Sequence, residues 1–126
     1  GLGIGSRLPA YCSALGRVAL AALPPDEAAR RVRAMRRTPL TPKTVYEVDA
    51  VLALLERCRR EGWARADGEI ELGVRSMAVP ACDNHGQFAV GLSISVRAER
   101  MTMAEFSGTL LPVLMKARDT LRLFGE

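Results

Sequence analysis

The residues that could do chemistry here include serines in two alternating segments in the second half of the chain. In GVRSMAVP the period of two places Ser76, Ala78 and Pro80 on one face, and in GLSISV it places Ser93 and Ser95 together. Side chains this small and polar do not form a densely packed core. The pattern therefore predicts that this face is the floor of a cavity with hydroxyl donors. Serines inside strands are also commonly structural hydrogen-bonding residues, and this alternative stays open.

The second candidate is the amino end of a helix. Ser13 is a favourable N-cap for an apolar helix that runs to about Ala22. The first turn, formed by Ser13, Ala14, Leu15 and Gly16, presents backbone N–H groups without partners inside the helix, and the helix dipole adds positive partial charge. Because the neighbouring side chains are small, a carboxylate could reach these donors. An ordinary capped core helix explains this stretch about as well, and the serine-bearing face favours an anion pocket.

Three other motifs have plainer interpretations. GLGIGS lacks the lysine of a P-loop and predicts a strand end or loop. CDNH brings Cys82 and His85 close together, but metal sites need three or four convergent ligands and His85 is the only histidine. We interpret CDNH as turn residues beside a buried thiol and expect neither metal nor cofactor. RRVRAMRR has no interleaved aromatics, which favours a solvated helix face or a contact to another domain over nucleic-acid binding.

Composition limits the class of protein. The chain has 126 residues, 48% of them hydrophobic and 25% charged, which is enough for one domain with one core. Pro24 and Pro25 end the longest apolar run before it could span a membrane. Three scattered cysteines indicate reduced thiols in the cytoplasm. Because the chain opens with neither a secretory signal nor an initiator methionine, we expect a piece of a longer protein.

Hydrophobic periodicity predicts the elements that position these groups. They are, in order, the helix from Ser13, a helix opened by Asp26 and Glu27, an extended connection over 38–46, a helix over 48–60 closed by Gly62, strands over 63–66, 70–72, 74–82 and 88–96, and a final helix. Gly86 is expected at positive φ in a hairpin. Helices followed by a meander and a long helix predict an α+β domain with an antiparallel sheet.

The final helix carries its own start signal. Thr102 and Glu105 form the pattern of a capping box. The apolar positions expected to face the sheet are Met103, Phe106, Leu110, Leu111, Val113, Leu114 and Leu121.

Three stretches in order, GSRLPAYCSALGRVALAALP, TPKTV and ELGVRSMAVPACDNHGQFAVGLSISV, resemble the effector-binding domain of IclR-type bacterial transcription regulators. The resemblance covers essentially the whole chain, and LPAYCSALGRV is most similar to the subgroup of PcaR, PcaU and PobR, regulators of aromatic-acid catabolism. It implies a GAF-like α+β fold, a curved antiparallel sheet with helices packed on it.

The resemblance also implies a ligand site. The family's ligand lies between a helix start and strand residues that match Ser13, Ala14, Leu15, Pro80, Ser93 and Ser95. An acidic position in the loop over 69–71 borders the site, and Glu71 is our candidate for it. Pro80 stands where some members have cysteine, so its contact is expected to be one of shape.

As partners the resemblance implies a small organic acid, aromatic or dicarboxylic, and a homodimer or tetramer. DNA would be contacted only through an N-terminal winged helix-turn-helix domain, which is expected to be missing from this chain together with the first strands of the effector domain. No membrane partner, no catalysis and a cytoplasmic location are expected. The alternatives are an oligomerisation module without ligand and a small thiol-dependent enzyme that uses Cys12 or Cys82.

Overall fold

The fold is described by a computed structural model of residues 9–121. The elements in these residues are α1 (Ala14–Ala21), α2 (Pro25–Ala34), α3 (Val48–Glu61), β1 (Ala64–Asp67), β2 (Val74–Cys82), β3 (Phe88–Arg97) and α4 (Met103–Thr120). The predicted α+β class, an antiparallel sheet with helices packed on it, is confirmed. The GLGIGS motif and Leu8 lie outside the described residues. Between residues 9 and 121 no helix is both long enough and apolar enough to cross a membrane.

The sheet is an antiparallel meander in the order β1–β2–β3. In its register Ser76 lies between Ala66 of β1 and Ser95 of β3. Two residues further along β2, on the same face, Ala78 lies opposite Ser93. Residues paired in this way share a face, so the predicted alternation is confirmed. We call this side the pocket face, and its residues are Ala64, Ala66, Val74, Ser76, Ala78, Pro80, Gly91, Ser93, Ser95 and Arg97.

Helices cover both sides of the sheet. Helix α1 contacts all three strands, and α3 packs against α1. The buried core on this side includes Val18 of α1 and Leu55 of α3. Helix α4 covers the opposite face, where Phe106 packs with Met77 and Val79. Since Ser93 and Ser95 are exposed on the pocket face, α1 leaves part of that face uncovered.

The predicted helix and turn signals are confirmed. Ser13 caps α1 through its side chain, and Thr102 and Glu105 form both bonds of the capping box. The bond from the Thr102 N–H holds the pKa of Glu105 below its usual value. Gly62 ends α3 with φ of 82°, and Gly86 turns the hairpin with φ of 77°.

The predicted strand over 70–72 is wrong. This stretch is a turn between β1 and β2, flanked by Gly68 and Gly73 with φ of 69° and 87°. Leu72 is exposed there, so its apolar character reflects no packing in the core. The neighbouring strand β1 covers Ala64–Asp67 rather than 63–66, a shift of one residue.

Two apolar positions of the last helix are more exposed than predicted. Val113 is 59% exposed, and Leu121 follows the helix as an exposed C-cap. Helix α4 contacts the sheet along one side, which contains the buried Phe106 and Leu114, and the adjacent Val113 points about 100° away from Leu114. Cys82 was expected to be buried beside the hairpin, but it is exposed at the end of β2.

The arginines of RRVRAMRR are in part explained by local pairs. Arg30 and Arg31 both bind Glu27 on the exposed side of α2. Arg37 donates to the backbone carbonyls of Val32 and Tyr46. This arrangement agrees with a solvated helix face.

Candidate ligand-binding site

A cavity of about 190 Å³ lies between the start of α1, the pocket face and the turn after β1. An engineered cavity of about 150 Å³ accommodates benzene, so this space is large enough for a single-ring molecule. The residues that line it are Ser13, Ala14, Leu15, Ala66, Glu69, Ile70, Glu71, Val74, Ser76, Ser93 and Ser95.

The first turn of α1, which contributes Ser13, Ala14 and Leu15 to the lining of this cavity, contains two backbone donors that the helix does not use. Ser13 Oγ accepts from the Gly16 N–H at 3.0 Å, and the first intrahelical bond runs from the Arg17 N–H to the Ser13 carbonyl at 3.0 Å. Within the described chain, the N–H groups of Ala14 and Leu15 therefore have no helical partner. Because these donors lie at the positive end of the helix dipole, the site suits an anion.

A close backbone contact fixes where this turn lies. A methyl group at Gly16 would lie 2.3 Å from Ala10 Cα and 2.5 Å from the Ala10 carbonyl oxygen. The chain that leads into α1 is also held by the Ser13 N–H, which donates to the Pro9 carbonyl at 3.1 Å. The turn before the helix thus packs directly against its first turn, which only glycine at position 16 permits.

The floor of the cavity is polar. Ser76 Oγ and Ser95 Oγ lie 2.8 Å apart across neighbouring strands, and either hydroxyl can be the donor. Ser93 lies two residues before Ser95 on β3, on the same face of the sheet and opposite the buried Ala78. The cavity therefore offers hydroxyl groups on its floor and backbone donors at its helical wall.

A buried ion pair joins α1 to the wall of the cavity. Arg17 Nη1 and Nη2 bind the two carboxylate oxygens of Glu69 at 2.7 and 2.6 Å. The side chains are 2% and 8% exposed. Arg17 also donates to the carbonyls of Tyr11 at 2.8 Å and Arg65 at 3.1 Å. Such a bidentate pair, with two further bonds to backbone carbonyls, fixes geometry tightly.

Glu69 also holds the connection between α2 and α3. Its Oε1 accepts from the Val45 N–H at 2.9 Å, and its carbonyl accepts from Thr44 Oγ1 at 2.6 Å. One residue earlier, the Gly68 carbonyl accepts from Thr41 Oγ1 at 2.6 Å. The turn that carries Glu69 is therefore fastened to α1 and to the connection at once.

The structure brings together most of the residues predicted for the site. Those that line the cavity are Ser13, Ala14, Leu15, Glu71, Ser76, Ser93 and Ser95. Pro80 does not line it, because it pairs with Gly91, where a methyl group would lie 2.9 Å from Leu15 Cδ2. At this row α1 itself approaches the sheet.

Sequence reasoning missed Arg17. Its signal was present, since Arg17 is the one charged residue in the α1 sequence ALGRVALA. A charge in so apolar a helix requires a partner. The partner lies 52 positions away, so the sequence alone could not identify it.

The cysteines give little support to thiol chemistry. Burial raises the pKa of Cys12 and of Cys58, which favours the protonated and unreactive thiol. Cys82 is exposed at the end of β2. In the part of the chain described, no group of three His, Cys, Asp or Glu side chains could hold a metal ion.

Comparisons with known proteins agree with this architecture. Residues 2–122 match the family described as bacterial transcriptional regulator IclR, C-terminal. The Pca regulon regulatory protein of Pseudomonas putida is 35% identical over 126 residues, which cover 98% of this chain and 43% of that protein. The chain thus spans less than half the length of this relative.

Two solved structures are similar throughout most of the chain. One, described as a transcriptional regulator from a Rhodococcus species, has a TM-score of 0.89 and 34% identity, covering 94% of this chain and 48% of that one. The other is the inducer-binding domain of a PobR double mutant from Acinetobacter in complex with 3-hydroxybenzoic acid, with a TM-score of 0.88, 27% identity and coverages of 94% and 67%.

These relatives are transcriptional regulators rather than enzymes, and two of them belong to the predicted Pca- and PobR-like subgroup. The match to the family extends over nearly the whole chain. The chain therefore belongs to the IclR family of bacterial transcriptional regulators, in which it corresponds to the C-terminal effector-binding domain.

Proposed function

We propose that the cavity binds a small organic acid, aromatic or dicarboxylic, from a catabolic pathway. The observation that carries this proposal is that Ala14 and Leu15, whose helix N–H groups have no partner among the described residues, line the same cavity as the paired hydroxyls of Ser76 and Ser95. The ligand carboxylate accepts from the N–H groups of Ala14 and Leu15, in bonds strengthened by its charge. Its apolar body packs against Leu15, Ile70 and Val74.

One solved structure of the same fold supports an aromatic acid. It is the inducer-binding domain of a double mutant of PobR from Acinetobacter, in complex with 3-hydroxybenzoic acid. The cavity of about 190 Å³ also has the volume for one ring.

In the whole regulator, the bound acid would change the affinity for DNA. A ligand shifts such an equilibrium only if it binds the two states unequally, and couplings of about 1–3 kcal/mol are typical. The DNA contact belongs to a winged helix-turn-helix domain outside this chain, in a homodimeric or tetrameric protein of the bacterial cytoplasm. In that coupling, the N–H donors and serines of this domain would bind the acid.

A thermal-shift screen tests the proposal. The acids to use are 4-hydroxybenzoate, protocatechuate, β-ketoadipate, pyruvate and glyoxylate. At a concentration 100 times its Kd, a ligand adds about 2.7 kcal/mol to the free energy of unfolding. We therefore expect at least one of these acids to raise the Tm clearly. No shift with any of them would favour the alternative, an oligomerisation module that binds no ligand.

Replacing Ser93 by alanine should weaken the binding of the acid that gives a shift. The variant loses one hydroxyl donor from the floor of the cavity, so we expect the Kd of the acid to rise about 3- to 10-fold. Because Ser93 is exposed, the Tm without ligand should not change. The matched control is Ser107→Ala on α4, away from the cavity. Equal Kd values for Ser93→Ala and the unaltered chain would contradict the assignment of the floor.

A further inference from the structure

We propose that Arg75 is a latch through which the wall of the cavity acts on the start of α4, on the opposite side of the sheet. The part of the wall concerned is the turn over residues 68–73, which joins β1 to β2 and contributes three residues to the cavity lining. We call it the wall turn. Because the latch consists of the protein's own side chains, it acts whatever molecule occupies the cavity.

Both ends of the wall turn are connected to the loop that leads from β3 into α4. At the end of the turn, the Gly73 carbonyl accepts from the Ala98 N–H at 2.8 Å. At its start, Asp67 lies opposite Arg75 in the register of β1 and β2. Arg75 Nη1 donates to the carbonyls of Ala98 at 2.8 Å and Met101 at 3.0 Å. The loop is therefore held by residues on either side of the wall turn.

The Arg75 side chain lies on the side of the sheet that α4 covers. Its neighbours Val74 and Ser76 belong to the pocket face, and successive residues of a strand point to opposite faces. Met101, whose carbonyl Arg75 binds, is followed directly by Thr102, the N-cap of α4. Arg75 thus fixes the backbone from which α4 begins.

The contact between Arg75 and Asp67 is incomplete. Arg75 Nε is buried and has no hydrogen-bond partner among the described residues. Asp67 Oδ1 lies 3.5 Å from it, beyond the usual donor–acceptor distance of about 2.7–3.2 Å. Because a buried donor without a partner is unfavourable, a shift of the carboxylate by roughly half an ångström would lower the free energy of this contact. The pair therefore has two arrangements, an open one and a closed one.

The position of the wall turn determines which arrangement is adopted. Asp67 directly precedes Gly68, so its carboxylate moves with the start of the turn. Asp67 Oδ2 also lies 3.2 Å from Lys43 Nζ, so two cations share the carboxylate. The side chain of Lys43 is 50% exposed and that of Arg75 is 18% exposed, so solvent screens the Arg75 contact less. Displacement of the turn changes the balance between the two cations, and Arg75 passes this change to α4.

A strained substitution in the wall turn tests the latch without any ligand. Gly68 has φ of 69°, where alanine is unfavourable, and the added methyl group first meets the flexible stem of Lys43, 3.1 Å away. Gly68→Ala therefore displaces the start of the turn, next to Asp67. The measurement is hydrogen exchange of individual amides by NMR. The informative amides are those of Glu105 and Phe106 in the first turn of α4, which bond to Thr102 and not to the wall turn.

We expect Gly68→Ala to speed exchange at Glu105 and Phe106 by about 5- to 10-fold. The dependence on Arg75 is measured with Arg75→Lys, which keeps the charge but has no Nε beside Asp67. In that variant, adding Gly68→Ala should change the two rates by less than about 2-fold, because the contact that passes the displacement on is missing.

Gly86→Ala is the matched control. It introduces the same residue at φ of 77°, where no atom lies within 4 Å of the added methyl group, in the hairpin at the other end of β3. A general loss of stability would be the same kind of loss here, yet the exchange rates at the start of α4 should stay within about 2-fold of those of the unaltered chain.

Unchanged rates at Glu105 and Phe106 in Gly68→Ala would overturn the proposal, because the wall turn and α4 would then be independent. An effect of equal size with Arg75 and with lysine at that position would overturn it too, since the displacement would not pass through Arg75. If Arg75→Lys does not fold, Asp67→Asn replaces it. This variant removes the charge on the other side of the same contact and must also abolish the effect of Gly68→Ala.

Discussion

Replacing Arg17 by methionine is expected to lower the free energy of unfolding by about 3–5 kcal/mol. Methionine keeps most of the apolar stem, so the loss comes mainly from a buried Glu69 without its cation. The carbonyls of Tyr11 and Arg65 lose donors as well. Urea unfolding followed by circular dichroism measures the change.

A double-mutant cycle separates the ion pair from other effects of the substitution. Glu69→Leu alone should also destabilise, because it leaves Arg17 buried and unpaired. The double variant should be clearly more stable than the sum of the two changes predicts, since it contains no isolated charge. The control is Arg60→Met at an exposed position of α3, where we expect within about 0.5 kcal/mol of no change. Additive effects in the cycle would show that the two side chains do not act as a pair.

Replacing Gly16 by alanine should destabilise the chain by about 1–3 kcal/mol, although alanine normally favours a helix over glycine by about 0.5–1 kcal/mol. The added methyl group would meet backbone atoms of Ala10, which cannot rotate away. The turn before α1 must then move, and the donors of Ala14 and Leu15 move with it. We therefore expect weaker ligand binding together with a lower Tm.

Gly108→Ala is the matched control for this substitution. Gly108 lies within α4, and nothing is within 4 Å of the position of an added methyl group. At this position the greater helix propensity of alanine over glycine should stabilise the chain by about 0.5–1 kcal/mol. If Gly16→Ala were stabilising to the same degree, the close contact of the turn with α1 would be refuted.

The parts of the site that could be predicted from the sequence depend on local signals. The side chain of Ser13 bonds within its own turn, and the faces of β2 and β3 follow from a period of two. Thr102 and Glu105 specify the start of α4 within four residues. Each of these predictions needs only residues adjacent in the chain, and each is confirmed.

The parts that were missed depend on distant contacts. Arg17 meets Glu69 across 52 positions, and no pattern near either residue specifies the other. Ile70 and Leu72 have the apolar character of a strand, but glycines at positive φ on both sides turn the chain away from the sheet. Pro80 shares a face with the serines, yet its position along the strand places it at the row where α1 packs.

The serine pair on the floor has a consequence for how such a site can change its preference. When Ser76 donates to Ser95, Ser95 presents its proton outward, and rotation about two C–O bonds reverses the order. The polarity that the pair shows to a bound molecule can thus invert without any movement of the backbone.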